Sequence, residues 1–382
     1  MASQDQKDRR HSRAVAGLAD DGTVKKRQQM RNDKMVLPES GSHQVKRLAS
    51  SDEERWDAFV AGAPQATFFH RAAWRGMLEQ GFGHRSHYLY AECDGVITGI
   101  LPLGEIRSRL FGHSLISTPF CVYGGVVACD LESEAQLTAA ATALADELNV
   151  GYLELRERQP RHQGWPVKDL YVSFRKPIDI DHDKNLKAIP RKQRAMVRKG
   201  IGFGLEAHHD GNLDEFYRVY AESVRNLGTP VLPRQYYARL QETFGTDCEI
   251  TVISHRAQPV AAVMSFYFRD EVHPYYGGSV ARGRDLAAND FMYWSVMQRA
   301  VERGARVFDF GRSKQDTGSY HFKKHWGFEP RPLPYAYHLV RAQAVPNVSP
   351  TNRKYSLFIK AWQKLPLPVS KLVGPLLARD LG

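Results

Sequence analysis

Residues 260–268, VAAVMSFYF, follow the turn His255-Arg256-Ala257-Gln258 and read as the second strand of an antiparallel hairpin. The same arrangement occurs earlier, where VITGILPL (96–103) follows the turn Glu92-Cys93-Asp94-Gly95. Working outward, each strand leads towards a Tyr-Gly-Gly, at Tyr123-Gly124-Gly125 and Tyr276-Gly277-Gly278. A helical stretch follows in each half, 132–149 and 290–303. Then comes a short strand with an acid between apolar residues, Leu153-Glu154-Leu155 and Phe308-Asp309-Phe310. Elements recurring in one order, about 155 to 165 residues apart, make an internal repeat. Each copy reads as two helices, a hairpin, a third strand, a helix and a further strand. The leading helices of the second copy span 212–226 and 234–244, with Pro230 and Pro233 between them.

The chain has 382 residues, enough for two domains of ordinary size. We expect a disordered tail over 1–43, with Met35 as a second plausible start. A first domain then covers 44–178, a second covers 179–345, and a basic tail covers 346–382. The net charge is +11, and its excess is uneven: residues 184–199 hold seven Lys or Arg and no acid. With Pro190 at the first helical position, this block reads as a linker helix over 184–200. Arg191, Arg194 and Arg198 then share one face, which is either solvated or a phosphate-binding surface. The four cysteines show no CxxC pairing, which favours a reducing compartment. No signal peptide or membrane-spanning run is visible, so a cytoplasmic protein is expected. The C-terminal stretch, with three prolines after residue 365, reads as too broken for a long helix. It either packs on the body or rests at the inner membrane, with Trp362 and Leu365 inserted and Lys360, Lys364 and Lys371 on phosphates.

The chemistry concentrates in DFGRSKQDTGSYHFKKHWGFE, residues 309–329. The strand 307–310 is expected to break at Gly311 into a loop carrying Arg312 and Ser313. A short aromatic-basic helix with Tyr320, Phe322, Lys323, Lys324 and Trp326 follows. Acyl transfer to an amine needs alignment and stabilisation of the developing oxyanion. Lys323 is the candidate oxyanion or phosphate ligand, or else a surface lysine. Asp309 is the candidate base or amine anchor, or else a buried capping acid. Tyr276, Asn289 and Tyr320 are candidate acceptor-pocket residues, with Arg312 and Ser313 beside them. His321 and His325 have metal-ligand spacing, but no third ligand lies nearby in sequence, so no metal is expected.

This order of elements resembles the acetyltransferase (GNAT) fold, present twice. It implies an α/β (α+β) protein of two tandem GNAT-like folds, with mixed, largely antiparallel sheets flanked by helices. Two copies joined by a basic segment resemble the FemAB family, which transfers aminoacyl groups from tRNA to cell-wall precursors. ATFFHRAAW, LPLGEIRSRLFG, STPFCVYGG, SVRNLGTPV, the 309–330 motif and the ending LPLPVSKLVGPLLARDLG resemble the FemAB-related proteins of PEP-CTERM/exosortase systems. The likeness covers about residues 45–382. It implies that Lys323, in Phe322-Lys323 followed by Gly327, lies near the carbonyl attacked. It also implies that Ser223 and Arg225 contact precursor phosphates, while Arg194 and Arg198 are anion-contact candidates from the spacing of the basic helix alone. The implied acceptor is a phosphorylated or lipid-linked sugar, and the donor is aminoacyl-tRNA or acyl-CoA. Ala281-Arg282-Gly283-Arg284-Asp285 stands where GNAT enzymes carry their pyrophosphate loop and does not fit that pattern. The coiled-coil arm of some FemAB enzymes is also absent. A coenzyme A-dependent N-acyltransferase and a non-catalytic glycan-binding or scaffold protein are the alternatives.

Overall fold

A computed structural model describes residues 42–108, 111–346 and 353–380. All but the last two residues of the expected disordered tail, including Met35, lie outside the described residues. The first half runs β1 (Gln44–Arg47), α1 (Glu53–Gly62), α2 (Trp74–Phe82), β2 (Arg85–Ser86), β3 (Leu89–Cys93), β4 (Val96–Leu101), β5 (Leu103–Ser108) and β6 (Gly112–Ser117). It closes with β7 (Val127–Ala128), α3 (Leu131–Glu147), β8 (Tyr152–Leu155) and β9 (Val167–Pro177). The basic connection forms α4 (His182–Ala188) and α5 (Arg191–Gly202), leading to β10 (Glu206–His208). The second half continues with α6 (Leu213–Asn226), α7 (Arg234–Phe244), β11 (Cys248–His255), β12 (Gln258–Phe268) and β13 (Glu271–Ser279). Then come α8 (Ala281–Asp285), α9 (Ala288–Glu302), β14 (Val307–Lys314), α10 (Gly318–His325) and β15 (Pro330–Leu339). The chain ends in α11 (Arg353–Gln363) and α12 (Leu367–Ala378).

The expected repeat is present, with local differences. Strand β4 ends one residue before Pro102, which has no N–H to give a ladder, and β5 turns into a different sheet. Tyr123-Gly124-Gly125 lies in a loop, whereas Tyr276-Gly277-Gly278 lies within β13, so the two motifs are not equivalent. The expected single linker helix over 184–200 is instead two helices, α4 and α5, parted at Ile189-Pro190, and Pro190 is the residue before the first turn of α5 rather than in it. The C-terminal segment, read as too broken for a long helix, forms two short helices of 11 and 12 residues. Pro366 and Pro368 fall at the start of α12, where a missing N–H costs nothing.

A four-stranded sheet has the order β1-β3-β4-β7. An eleven-stranded sheet has the order β10-β11-β12-β13-β14-β9-β15-β8-β6-β5-β2. Only β13–β14 and β6–β8 are parallel among the described pairs. The long sheet interleaves the two halves: β9 lies between β14 and β15, and β15 pairs with β8 on its other edge. A boundary near residue 178 therefore divides two sequence copies but not two sheets.

Alternation along β12 and β13 sends neighbouring side chains to opposite faces. Ala262, Met264, Phe266 and Tyr276 join α1, α2, α6 and α7 in one core. Val263, Val272, Phe308, Phe310 and Trp326 join α5 and α9 in another. A third core, around Leu115, Leu137 and Leu153, seals α3 against the first half. On the second core, Asp290 accepts hydrogen bonds from Trp326 Nε1 (2.9 Å) and Gln193 Nε2, so one carboxylate pins α5, α9 and α10 together.

Candidate functional site

Strand β14 does not end at Gly311, as the sequence suggested, but continues to Lys314 through a bulge. Val307, Phe308 and Asp309 face Pro177, Lys176 and Arg175 of β9, whereas Arg312, Ser313 and Lys314 face Ser173, Val172 and Tyr171. Phe310 and Gly311 thus stand against Phe174 alone. Gly311 adopts φ +65°, a left-handed conformation that a side chain would strain. The extra residue resets the two-residue alternation. Asp309 and Arg312, three positions apart, consequently share one face with Arg175 and Tyr171.

On the opposite face, α10 begins at Thr317, whose hydroxyl accepts from the Tyr320 N–H. Lys323 reaches back from this helix to the bulge. Its Nζ donates to the carbonyl oxygens of Phe310 (2.7 Å), Arg312 (3.0 Å) and Gly311 (3.3 Å). An ammonium has three N–H donors, and three backbone carbonyls at the bulge take them. Burial pulls the Lys323 pKa down to about 7, with Asp309 opposing and Arg312 reinforcing the shift. Lys323, the candidate oxyanion or phosphate ligand or else a surface lysine, is half-buried and holds the backbone of the bulge. Lys324 beside it is exposed.

Asp309 is 1% exposed, so it does not face the loop after its strand. Its Oδ2 accepts from the Tyr123 hydroxyl (2.9 Å) and its Oδ1 from the Gly311 N–H (2.7 Å). His273 of β13 lies between two carboxylates, with Nδ1 3.7 Å from Asp309 and Nε2 3.6 Å from Glu271. Glu271 in turn binds Arg175. Glu271, His273 and Asp309 offer the donor types of a metal site within 4.8 Å. Each imidazole nitrogen faces a different carboxylate, however, and Tyr123 and Arg175 already occupy carboxylate oxygens. Burial holds the His273 pKa below the usual range against the pull of both acids. This network is not legible in the sequence, because its members come from β9, β13, β14 and the loop at Tyr123.

The same face carries Arg312, which is half-buried. Its Nη1 donates to the Tyr335 hydroxyl (3.1 Å), and its guanidinium lies 4.8 Å from the Tyr171 ring centre and 5.7 Å from that of Tyr335. No carboxylate within salt-bridge distance of Arg312 is found among the described residues. Lys314 and Lys168 add positive charge, and burial followed by Arg312 and Lys168 lowers the Lys314 pKa to about 8. Tyr335 also donates to the Val122 carbonyl (2.6 Å), fixing the loop of the first half beside Arg312. A half-buried guanidinium between phenols, with excess positive charge around it, suits a phosphate or carboxylate.

The remaining expected residues are spread out. Ser313 and Tyr320 lie on the Lys323 side of the sheet; Ser313 Oγ is buried without a partner among the described residues, and Tyr320 packs edge-on against Phe174. Asn289 is half-buried on the first turn of α9. Tyr276 is not a pocket residue: it packs among Tyr220, Tyr236 and Tyr237, with its hydroxyl 3.1 Å from that of Tyr236. Ser223 is buried beneath Gly278, where any Cβ would overlap its side chain. Arg225 donates to the Leu365 carbonyl (3.3 Å), and its buried Nε has no partner among the described residues. Arg198 and Arg191 are exposed on α5, and Arg194 donates to the Lys187 carbonyl (3.2 Å). His321 and His325 are both exposed.

Comparisons with known proteins agree with this architecture. Residues 183–324 match a family model described as an acetyltransferase (GNAT) domain. The UDP-N-acetylmuramoylpentapeptide-lysine N(6)-alanyltransferase of Weissella viridescens is 22% identical over 161 residues, covering 41% of this chain and 48% of that protein. The chain thus spans about half the length of the curated relative it matches. Among solved structures, FemX superposes with a TM-score of 0.61 at 15% identity, covering 78% of this chain and 98% of FemX. The C-terminal domain of a putative lysylphosphatidylglycerol synthetase from Agrobacterium fabrum gives 0.52 at 15% identity, covering 75% and 92%. A tandem GNAT protein from the clavulanic acid pathway gives 0.50 at 15% identity, covering 80% and 100%. These likenesses show the fold.

Two repeated units sharing one mixed sheet, with β13 and β14 hydrogen-bonded over only two residue pairs, define a tandem GNAT-type protein. The chain is similar in sequence to the alanyltransferase over part of its length and similar in fold to FemX.

Proposed function

We propose that the chain is a FemAB-like acyl- or aminoacyltransferase that builds an amide on an amine of a cell-envelope or exopolysaccharide precursor, in a PEP-CTERM/exosortase setting. The acceptor is a phosphorylated or lipid-linked sugar, met at the cytoplasmic side of the envelope. The Arg312 guanidinium carries this reading: it is a half-buried cation held against phenols, with no carboxylate at salt-bridge distance among the described residues. In the reaction the acceptor nitrogen attacks the donor carbonyl and forms a C–N bond. The ester C–O or thioester C–S bond breaks, and the proton lost by the amine ends on the leaving hydroxyl or thiol. Arg312 is the anion contact, and Lys323 positions it through the three bulge carbonyls. Arg225, Arg194 and Arg198 serve as outlying phosphate contacts.

Aminoacyl-tRNA is favoured over acyl-CoA as donor because residues 281–285 form the helical turn α8. Arg282 of this turn approaches the His255 ring at 3.0 Å. The test offers each donor with lipid-linked and nucleotide-linked amino sugars and detects the amide by mass spectrometry. Arg312→Ala is expected to lower kcat/KM roughly tenfold to a hundredfold, as loss of a charged hydrogen bond does, while Lys324→Ala leaves it unchanged. No product with any pair overturns the reading, and glycan binding without turnover favours a binding protein instead.

A further inference from the structure

Helix α12 is packed inside out. Its side against the body carries small residues, Ser370, Gly374 and Ala378, and Gly374 comes close to the Val231 backbone. Its outer side carries Val369, Leu372, Val373 and Leu376, at i, i+3, i+4 and i+7, and Leu372 and Leu376 are 77% and 67% exposed. A helix on a water-exposed surface ordinarily turns its large aliphatic stripe inward. The neighbouring α11 adds Leu357, 62% exposed. Trp362, which the sequence left either packed on the body or inserted in a membrane, is 4% exposed and anchors α11 to the body. Leu365 is half-buried beside Arg225. The surface is therefore held rigidly by other residues, with its leucines left outside.

We propose that the outer face of α11 and α12 docks on an anionic lipid bilayer. Charge selects this occupant. Residues 353–380 include six Lys or Arg and one acid, Asp380, which pairs with Arg379 at 3.3 Å, and Lys360 and Lys364 are exposed. A second copy would bring two such segments of like charge together, whereas a bilayer bearing acidic headgroups neutralises them while the leucines enter the acyl boundary. The inference does not rest on the acyltransferase reading, and soluble substrates test that reading separately.

Co-sedimentation of the full chain with vesicles of phosphatidylcholine alone, or mixed with phosphatidylglycerol, tests the proposal. Binding is expected to the mixed vesicles only, and to weaken as salt is added. Leu372→Glu with Leu376→Glu is expected to reduce it at least roughly tenfold. Lys360→Ala with Lys364→Ala is expected to reduce it roughly fivefold per lysine. The lysine pair is a separate readout should the leucine variant melt early by circular dichroism. Failure of the parent to bind mixed vesicles, equal binding to neutral ones, or a dimer that the leucine variant dissolves would each overturn the proposal.

Discussion

Lys323 is the residue at which sequence and structure part most instructively. Its place in a Phe-Lys motif suggested a free ammonium near a reacting carbonyl, but all three donors hold the backbone of the β14 bulge. Lys323→Met should therefore destabilise the protein by about 3 kcal/mol, because it leaves buried carbonyls without donors. Urea unfolding measures this, and an unchanged midpoint would return Lys323 to the surface. The group also gives the fold a pH dependence. Unfolded lysine keeps its proton to about 10.5, whereas the folded chain releases it near 7. Between those values the unfolded state binds more protons, so this contribution to stability rises with pH. The stability of the parent relative to Lys323→Met should increase by about 2 kcal/mol from about pH 7 to about pH 9. A flat difference across that window would contradict a depressed lysine.

Among elements, the bulge in β14 matters most, since one extra residue places Asp309 and Arg312 on the same face. Replacing Gly311 by valine forces a β-branched side chain into φ +65° and should cost about 2 kcal/mol. It should also lower turnover more than Lys324→Ala, because Arg312 shifts with the bulge. Circular dichroism melts and transfer assays check both parts. The buried Tyr123–Asp309–His273–Glu271–Arg175 series secures the same bulge from the other side through the Gly311 N–H. Asp309→Asn keeps the shape but alters the charge balance around His273. It should destabilise more than Ser313→Ala, which removes a hydroxyl without a described partner.

For the whole molecule, the interleaving of β9, β15 and β8 is the dominant fact. Residues 42–178 alone would expose the edge of β9 that pairs with β14 and the edge of β8 that pairs with β15. Residues 179–346 alone would leave β14 and β15 with no strand between them. Neither fragment should fold cooperatively, and the full chain should unfold in one transition by tryptophan fluorescence and circular dichroism. A fragment with native-like amide dispersion by NMR would show that the halves are separable.

The internal repeat, the lengths of α6, α7 and α9, and the basic character of α5 could be read from the chain because they depend on periodicity, turn residues and composition. Such features are local, so a single sequence carries them. The bulge could not be read, because a glycine after an apolar run signals a strand end and a bulge equally well. Nor could the partners of Asp309 and Lys323, which come from separate elements joined by an interleaved sheet. The same limit applies to Tyr276, whose aromatic neighbours lie on α6 and α7, and to Trp362, which is buried while Leu372 and Leu376 face out. Periodicity shows that a helix has faces; the surface it packs against decides which one is hidden.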